Sequence, residues 1–256
     1  MKKLALILTI AVILGGCSVK NSKYTAIYYD LFDTVTIISG FSDSEAEFDA
    51  LAAGLYDELK AVHDACLAEE PPEALLALCE EYKAASGGTF DVTLGAVYAL
   101  YKNGGEPSDI QLEAAKDVFQ YDFGAIGKGY ALDLAASFLQ GKPFAGTISL
   151  GGSVAAIGRK PGTADGAWEI GIQDPSGDGL ARTIALLPGQ FTATSGTYER
   201  GNHIIDPRTC APVISQRSLT IVANSGAVAD FLSTALFVEP NEGLAEKYNA
   251  ETFWLN

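Results

Sequence analysis

The sequence predicts a single α+β domain in which most helices precede most strands. Apolar residues recur at helical spacing over residues 44–67, and again in a second segment that follows a double proline. From about residue 147 onward, the chain changes to short β-type runs separated by glycine-rich turns. A strongly apolar helix returns at residues 226–238. Because helices and strands do not alternate regularly, this order favours an α+β layout over a parallel βαβ sheet.

The N-terminal part begins with β-type sequence and continues with two amphipathic helices. Residues 24–39 are rich in Tyr, Ile, Val and Thr, and they predict either a strand pair or one long bent strand. Pro71-Pro72 ends the first helix, and Ser86-Gly87-Gly88 ends the second. The apolar face of the first helix comprises Phe48, Leu51, Leu55, Leu59 and Val62, and that of the second comprises Leu75, Leu78, Cys79 and Tyr82.

Shorter helices and a series of strands follow. Asp91 or Thr93 is expected to cap a helix over residues 94–101. Ser108 with Gln111 three residues later matches a capping box, which predicts a helix over residues 109–120. The remaining predicted elements are a helix at 130–139, strands at 147–150, 154–158, 168–172, 183–185, 191–194, 203–205 and 218–222, and a short helix before a terminal strand at 252–255.

The first sixteen residues are predicted to be a lipoprotein signal peptide. Two lysines precede an apolar run, residues 4–14, that is too short for a permanent membrane span. Leu14-Gly15-Gly16 before Cys17 matches a lipobox, which predicts export, cleavage and lipidation of Cys17; the alternative is an ordinary signal peptide with a chance cysteine. Residues 17–23 would be a lipidated tether and residues 24–256 the folded domain. The expected location is the outer face of the cell membrane, or the periplasmic side in a two-membrane cell.

The composition excludes some classes of partner and of metal site. The formal net charge is −15, and it becomes −17 when the leader is removed with Lys2 and Lys3. So acidic a surface argues against nucleic-acid binding and against an electrostatic footprint on anionic membranes. An anionic ligand would therefore need local positive potential or a metal. The sequence has no CxxC or HExxH motif and only two histidines, which argues against a structural zinc site.

Residues 122–133 (DFGAIGKGYALD) form the most informative motif of the chain. Three glycines allow backbone N–H groups to approach a ligand closely, and the helix that follows contributes a positive N-terminal end. Lys128 adds a full positive charge. The motif predicts a clasp for phosphate, and the alternative is a glycine turn before a helix with one solvated lysine.

Two further constellations carry groups suited to metal and acid–base chemistry. Asp230 and Thr234 are four residues apart on a predicted helix, so that a carboxylate and a hydroxyl share one face and could bind Mg²⁺. The alternative is an aspartate in the first turn and a threonine bonded to its own helix. His203 and Asp206 lie at the ends of a short predicted strand, and histidine is the natural general base near neutral pH. The alternative is a surface histidine.

The order of these motifs resembles that of the ApbE-type family of FAD:protein FMN transferases. The resemblance covers nearly all of the chain after the leader. The matching segments are the lipobox, Phe32-Asp33-Thr34, 86–93 (SGGTFDVT), 122–133, 149–152 (SLGG), 194–196 (TSG) with Tyr198-Glu199-Arg200, 203–209 (HIIDPRT) and 229–238 (ADFLSTALFV).

The resemblance implies a fold, a reaction and a set of site residues. Helices would pack on mixed or antiparallel sheets, with FAD in a cleft between the halves of the domain. FMN would be transferred from FAD to a threonine hydroxyl of an acceptor protein, with Mg²⁺ at the diphosphate and AMP as leaving group. The metal ligands would be Asp230, Ser233, Thr234 and the carbonyl of Ala125, and His203 would assist deprotonation of the threonine. The flavin nucleotide would be lined by Phe32, Thr89, Phe90, Asp91, Asp122, Lys128, Gly151, Gly152, Ser195, Gly196, Tyr198 and Ile204.

The chain also departs from the family pattern. The stretches after the first helix and between Gly105 and Tyr121 are shortened, and Cys210 stands where a glycine is usual. Two other activities fit the same residues. One is an FAD pyrophosphatase, in which water replaces threonine and FMN and AMP are released. The other is a lipid-tethered flavin-binding protein without catalysis. By resemblance, the acceptor would be a flavin-carrying subunit of a membrane redox pump or an exported FMN-binding domain.

Overall fold

A seven-stranded antiparallel sheet organises the protein. The computed structural model describes residues 22–102, 105–177, 179–197, 203–215 and 217–256, so the predicted leader, Cys17 and most of the tether lie outside the described residues. Along the sheet the strands are β1 (Ser22–Leu31), β2 (Thr34–Ser42), β3 (Ala145–Leu150), β4 (Ser153–Ile157), β7 (Phe191–Gly196), β10 (Ser218–Ala223) and β11 (Glu251–Leu255). Each neighbouring pair in this order is antiparallel.

Helices and two small hairpins complete the described fold. The helices are α1 (Glu45–Cys66), α2 (Glu73–Ala85), α3 (Gly95–Tyr101), α4 (Asp109–Lys116), α5 (Gly127–Phe138), α6 (Gly226–Val238) and α7 (Glu242–Lys247). The hairpins pair β5 (Trp168–Gln173) with β6 (Leu180–Leu186), and β8 (Ile205–Asp206) with β9 (Ala211–Pro212). In the described part of the chain, no helix is long and apolar enough to cross a membrane.

Alternate residues of the strands supply two hydrophobic clusters on opposite faces of the sheet. Ile221 belongs to the main core together with residues of α1, α2, α5 and α6, whereas its neighbour Val222 belongs to a smaller cluster built on the β5–β6 hairpin. Trp168 of that hairpin is 5% exposed and donates its indole N–H to the Gly158 carbonyl. The helices thus cover one face, and the hairpin covers part of the other. This arrangement confirms the predicted α+β class.

The amphipathic helices are confirmed with small changes at their ends. α1 begins after Ser44, whose hydroxyl accepts a hydrogen bond from the Glu47 amide, and α6 has the bounds that the sequence predicts. Ser108 and Gln111 form the expected capping box, but α4 ends at Lys116 rather than at residue 120. Residues 24–39 form a strand pair rather than one bent strand. β1 begins at Ser22, inside the segment predicted to be the tether.

The prediction for the start of α3 is wrong. Neither Asp91 nor Thr93 caps this helix; Leu94 holds the cap position without a side-chain bond, and the Gly95 amide donates to the Gln120 carbonyl instead. The Asp91 carboxylate accepts from the amide and hydroxyl of Thr93, two residues before α3. A local side-chain turn therefore replaces the helix cap, which is the competition that short polar side chains offer to regular structure.

The strand predicted at residues 203–205 is also displaced. β8 consists of Ile205 and Asp206, so His203 and Ile204 precede it, and its partner β9 has no prediction in the sequence. Cys210 ends the turn between these two strands with φ of +56°. A positive φ favours glycine, which accounts for the usual glycine at this position in the family pattern.

The sheet brings the predicted motifs to one of its ends. Because the strands are antiparallel, the start of β2, the end of β3, the start of β4 and the end of β7 lie at the same end of the sheet. Gly151, in the turn between β3 and β4 with φ of +59°, donates its amide to the Val35 carbonyl. A Cβ atom there would lie 2.5 Å from the Thr34 hydroxyl, so this position requires glycine. The Gly152 carbonyl accepts from the Thr194 amide.

Candidate active site

The candidate site is centred on the carboxylate of Asp230, which is buried in the first half of α6. The residue is 4% exposed. Its Oδ2 atom accepts from the Gly129 amide at 3.0 Å and lies 3.4 Å from the Lys128 ammonium, while its Oδ1 atom accepts from the Ser153 hydroxyl at 3.2 Å. A buried carboxylate is costly unless it is hydrogen-bonded or paired, and here two segments far from Asp230 in sequence, residues 128–129 and the start of β4, supply its partners.

A cluster of hydroxyl groups lies beside this carboxylate. Ser195 at the end of β7 is 2.9 Å from the Ser233 hydroxyl and 3.3 Å from the Thr234 hydroxyl, measured between oxygens. Ser233 also donates to the Asp230 carbonyl at 2.9 Å. One turn of α6 therefore presents a carboxylate and two hydroxyls, and the sheet adds a third hydroxyl.

The Lys128 ammonium bridges a backbone carbonyl and the Asp230 carboxylate. Its Nζ atom is 3.1 Å from the Gly124 oxygen and 3.4 Å from Asp230 Oδ2. The Lys128 ammonium thus occupies a position between a carbonyl oxygen and a carboxylate oxygen, the two kinds of oxygen that Mg²⁺ prefers. Ala125, whose carbonyl is the remaining predicted ligand, directly follows Gly124; its role as a ligand stays a prediction.

The oxygen groups at this position fit Mg²⁺ in their chemistry. Oδ1 of Asp230 accepts one hydrogen bond in the described contacts and has further acceptor capacity, and the half-buried Thr234, about one turn further along α6, contributes a hydroxyl. Among the described residues, no group of three or more His, Cys, Asp or Glu side chains could hold a metal. A site here would therefore depend on one carboxylate together with hydroxyl, carbonyl and substrate oxygens.

The turn between β1 and β2 places an aromatic ring at the start of α5. Phe32 and Asp33 have φ of +53° and +51°, a region that non-glycine residues adopt rarely and at a cost in strain. The Phe32 amide donates to His63 Nδ1 at 3.2 Å, and the two rings meet edge to face. The Phe32 ring also lies against Gly127, where α5 begins. Strained backbone at the entrance to the glycine motif is typical of functional turns.

The predicted flavin residues of segment 86–93 occupy three different environments. The Thr89 side chain is buried and donates to the Ser86 carbonyl. Phe90 is 2% exposed and packs edge to face on Phe231, so its ring belongs to the core. Asp91 forms an ion pair of 2.7 Å with Lys83. Burial raises the pKa of the Asp91 carboxyl, but hydrogen bonds from Lys83 and Thr93 outweigh burial and hold the pKa below its usual value.

A second lysine accompanies Asp122 at the start of the glycine motif. Asp122 pairs with Lys102 at 3.0 Å and accepts the Gly124 amide at 2.8 Å, which shapes the turn. The Asp122 amide donates to the Val92 carbonyl, so segments 86–93 and 122–133 lie side by side. Three lysines, Lys83, Lys102 and Lys128, therefore lie along these two segments of an otherwise acidic protein.

Comparison with known proteins assigns this arrangement to a family. The ApbE family model matches residues 59–253, which is most of the chain and includes every segment that meets at Asp230. The chain belongs to the ApbE family. A curated FAD:protein FMN transferase of Rhodobacter capsulatus is 30% identical over 210 residues, and one of Haemophilus influenzae is 30% identical over 151 residues. These alignments cover 78% and 52% of this chain but only 36% and 42% of the relatives, so the chain spans well under half the length of each.

Solved ApbE structures share the fold. The ApbE protein of Thermotoga maritima superposes with a TM-score of 0.74 at 26% identity, covering 89% of this chain and 91% of that one. The flavin transferase ApbE of Vibrio cholerae gives a TM-score of 0.73 at 21% identity, covering 91% and 93%. The second likeness concerns the fold alone. Together they confirm the ApbE-like architecture that the sequence predicts.

His203 lies just before the β8–β9 hairpin of this ApbE protein. His203 is half-buried, and Ile204 is buried with its carbonyl accepting from the Val213 amide. Arg208 pairs with Asp206 at 2.8 Å, and this bond is the main reason that the pKa of Asp206 is below its usual value. Gly196 ends β7, and Tyr198, another predicted flavin residue, lies outside the described residues. The distance from His203 to the Asp230 carboxylate stays a prediction.

Two surface cavities differ in whether segment 86–93 of the ApbE motifs forms part of their walls. A polar cavity of about 220 Å³ includes Thr89 in its wall, together with Arg208 and Glu239. A larger one, of about 410 Å³, lies at the opposite end of the sheet, beside Gly158, Phe191 and Asn224. The lining of the larger cavity includes neither Asp230 nor any residue that bonds to the Asp230 carboxylate, so size alone would not select the candidate site.

Several residues of the site have no role in the sequence analysis. Gly129 and Ser153 hold Asp230 through an amide and a hydroxyl. Asp133 bonds to the first turn of α6, and His63 holds Phe32. Gly129 and Asp133 lie inside the motif at residues 122–133, so the signal was available there. For Ser153 and His63, the sequence gives no signal, because their partners are distant in the chain.

Proposed function

We propose that this ApbE protein transfers FMN from FAD to a threonine hydroxyl of an exported acceptor protein, with AMP as the leaving group. The observation that carries the proposal is the convergence on Asp230 of Lys128 and Gly129, from the glycine motif of the family, and of Ser153, from the start of β4. The names of the curated relatives support transfer of FMN from FAD to a protein. Their greater length leaves the activity of this shorter chain to be measured.

Asp230, Ser233, Thr234 and the carbonyl of Ala125 would hold Mg²⁺. When bound, this ion would neutralise charge on the diphosphate oxygens and on the departing AMP. The chain has a formal net charge of −15, which repels FAD, so local positive charge is needed at the site. Lys128 supplies such charge beside the carboxylate, at the beginning of α5.

The proposed reaction requires a base for the threonine hydroxyl, which is a poor nucleophile while protonated. His203 would accept that proton as the hydroxyl oxygen attacks the phosphorus of the FMN portion. The bond from this phosphorus to the bridging oxygen then breaks, and AMP leaves with that oxygen. The product is a phosphoester between FMN and the acceptor threonine. Water in place of threonine would give FMN and AMP, which is the pyrophosphatase reaction.

The predicted leader would place this chemistry outside the cytoplasm. We propose that lipidated Cys17 anchors the domain to the outer face of the cell membrane, because two acyl chains on one cysteine give stable anchoring. The acceptor would then be an exported protein or a subunit of a membrane redox pump. Nucleic acid is not a proposed partner, because the acidic surface repels it.

Incubation with FAD and MgCl₂, with and without an acceptor domain that carries a flavinylation threonine, tests the proposed function. Transfer gives a fluorescent acceptor band that survives a denaturing gel, together with AMP in equal amount. The control acceptor has valine in place of the threonine and should stay dark. AMP released at the same rate without acceptor would indicate the pyrophosphatase. Tight FAD binding without AMP in either reaction would indicate a binding protein and overturn the proposal.

A further inference from the structure

Two aspartates join helices α5 and α6 near their N-termini, because the aspartate of each helix accepts a hydrogen bond from a backbone amide of the other. Asp133 of α5 accepts the Gly226 amide at 2.6 Å, and Asp230 of α6 accepts the Gly129 amide at 3.0 Å. In each helix the aspartate lies four residues after the glycine, which is about one turn. The two Gly-x-x-x-Asp segments therefore bond to each other reciprocally.

The amides that take part belong to the first turns of their helices. Gly129 is the third residue of α5 and Gly226 the first of α6, so their N–H groups have no acceptor within their own helix. Asp133 also accepts from the Ala227 amide at 2.9 Å and from the Ser225 hydroxyl at 2.8 Å. One half-buried carboxylate thus fixes the start of the helix that carries Asp230.

Two glycines let the helices approach closely enough for this arrangement. A Cβ atom on Gly129 would lie 2.1 Å from the Gly226 carbonyl oxygen, and a Cβ atom on Gly226 would lie 2.4 Å from the Gly129 carbonyl oxygen. Any other residue at either position would push the helices apart. The crossing leaves little freedom for one helix to slide along the other.

We propose that Asp133 is a positioning residue for Asp230, the proposed metal ligand. By holding Gly226, Asp133 sets the position of α6, and this position aims Oδ2 of Asp230 at the Gly129 amide and leaves Oδ1 directed towards Ser153. Asp133 itself contacts neither the hydroxyl cluster nor the proposed substrate. The inference rests on the proposed function for the metal, but the reciprocal bonding is a property of the protein alone.

Asp133→Ala and Ser225→Ala make a matched pair. Both remove a bond at the same end of α6, because the Ser225 hydroxyl accepts from the Val228 amide and donates to Asp133. Only Asp133→Ala removes the acceptor of the Gly226 amide. Asp133→Asn keeps one acceptor oxygen in nearly the same shape, and it serves as a second variant if Asp133→Ala does not fold.

Two measurements decide the inference. Hydrogen exchange at the Gly129 amide is expected to be at least about tenfold faster in Asp133→Ala than in the parent, intermediate in Asp133→Asn and unchanged in Ser225→Ala. Thermal unfolding in the presence of FAD, titrated with MgCl₂, is expected to show an apparent Mg²⁺ affinity about tenfold weaker in Asp133→Ala, the effect usual for groups that orient a ligand.

The outcomes separate this inference from the proposed function. Equal effects of Asp133→Ala and Ser225→Ala on both measurements would reduce Asp133 to an ordinary helix cap, and unchanged Gly129 exchange in Asp133→Ala would overturn the positioning role directly. If the parent protein shows no stabilisation by MgCl₂, the proposed metal site is wrong. The exchange at Gly129 still decides whether Asp133 positions Asp230.

Discussion

At the scale of single residues, the site depends on one buried carboxylate and on the groups that stabilise it in the core. Asp230 is acceptable in the core because an amide, a hydroxyl and an ammonium surround it. Phe32 and Asp33 hold positive φ angles at the entrance to the glycine motif. A buried charge and a strained backbone each destabilise a fold locally, and such features concentrate at functional sites.

Asp230→Ala is expected to abolish FMN transfer while the protein stays folded. The change removes the one carboxylate among the proposed Mg²⁺ ligands, and the described residues contain no cluster of three or more His, Cys, Asp or Glu side chains that could hold the ion instead. It also leaves the buried Gly129 amide and Ser153 hydroxyl without an acceptor, which would lower the free energy of unfolding by about 1–3 kcal/mol. The acceptor gel measures transfer, and circular dichroism with urea unfolding measures the fold. Mg²⁺-dependent transfer at the parental rate by this variant would refute the metal assignment.

His203→Ala is expected to slow transfer by about 10²–10⁴-fold at saturating FAD and Mg²⁺, which is the usual worth of a positioned base. FAD binding should change little, because the proposed role of His203 concerns the acceptor hydroxyl. Stopped time points on the acceptor gel give the rate, and equilibrium dialysis gives FAD affinity. A rate equal to that of the parent would remove His203 from the mechanism, whereas equal losses in rate and FAD affinity would make it a binding residue.

At the scale of helices and strands, the sequence predicts periodic elements well and irregular ones poorly. α1, α2 and α6 follow from apolar spacing and from residues that start or stop helices. The start of α3 does not follow from the sequence, because the Gly95 amide donates to the carbonyl of Gln120, which is distant in the chain. The β8–β9 pair has only two residues in each strand, too few for alternation to be visible. Tertiary partners decide both cases.

The candidate site divides in the same way. The motifs locate Lys128, Ser195, Ser233, Thr234 and Asp230, and the fold brings all five together through direct contacts. The same motifs also name Phe90, but its ring lies in the core. A sequence pattern does not show which side of the backbone faces a ligand. Ser153 is absent from the prediction for the opposite reason, since a lone serine at the start of a strand has no distinguishing signal.

The ion pair between Lys83 of α2 and Asp91 gives an element-scale prediction about pH. The pKa of Asp91 is lowered in the folded protein, so its contribution to stability is present above the unfolded value of about 4 and is lost as pH falls through the folded value. Lys83→Met is expected to lower the free energy of unfolding by about 0.5–1 kcal/mol at pH 7, a discounted figure because Lys83 is 41% exposed. The difference from the parent should shrink as pH falls through the lowered pKa of Asp91.

Urea unfolding of both proteins between pH 2 and pH 7 measures this dependence. Lys60→Met is the control, because Lys60 and Asp64 form an ion pair of the same 2.7 Å length that is exposed on both sides, 45% and 58%. That variant should differ little from the parent at any pH. A difference for Lys83→Met that is the same at pH 2 and pH 7 would mean that lost packing of the lysine stem, and not the charge of Asp91, is responsible.

At the scale of the whole molecule, the proposed anchor and the domain are separate parts of one chain. The described fold begins with β1 at Ser22, five residues after Cys17. β1 lies at one edge of the sheet, whereas Asp230 bonds to the β4 segment near the middle. The formal net charge of −15 gives the domain no electrostatic attraction to an anionic membrane. The proposed attachment of this chain to a membrane therefore depends on the lipid proposed at Cys17.

Cys17→Ser is expected to abolish lipid attachment without changing the chemistry of the domain. Cells fed with an alkyne analogue of palmitate should label the parent chain and leave this variant unlabelled. A chain that begins at Ser22 should transfer FMN to a soluble acceptor at the parental rate, since it retains every strand of the seven-stranded sheet and every residue bonded to Asp230. An unlabelled parent with a mature N-terminus elsewhere would indicate an ordinary signal peptide. Loss of transfer on removal of residues 1–21 would show that the anchor segment takes part in the active site, and the separation of anchor from domain would then be wrong.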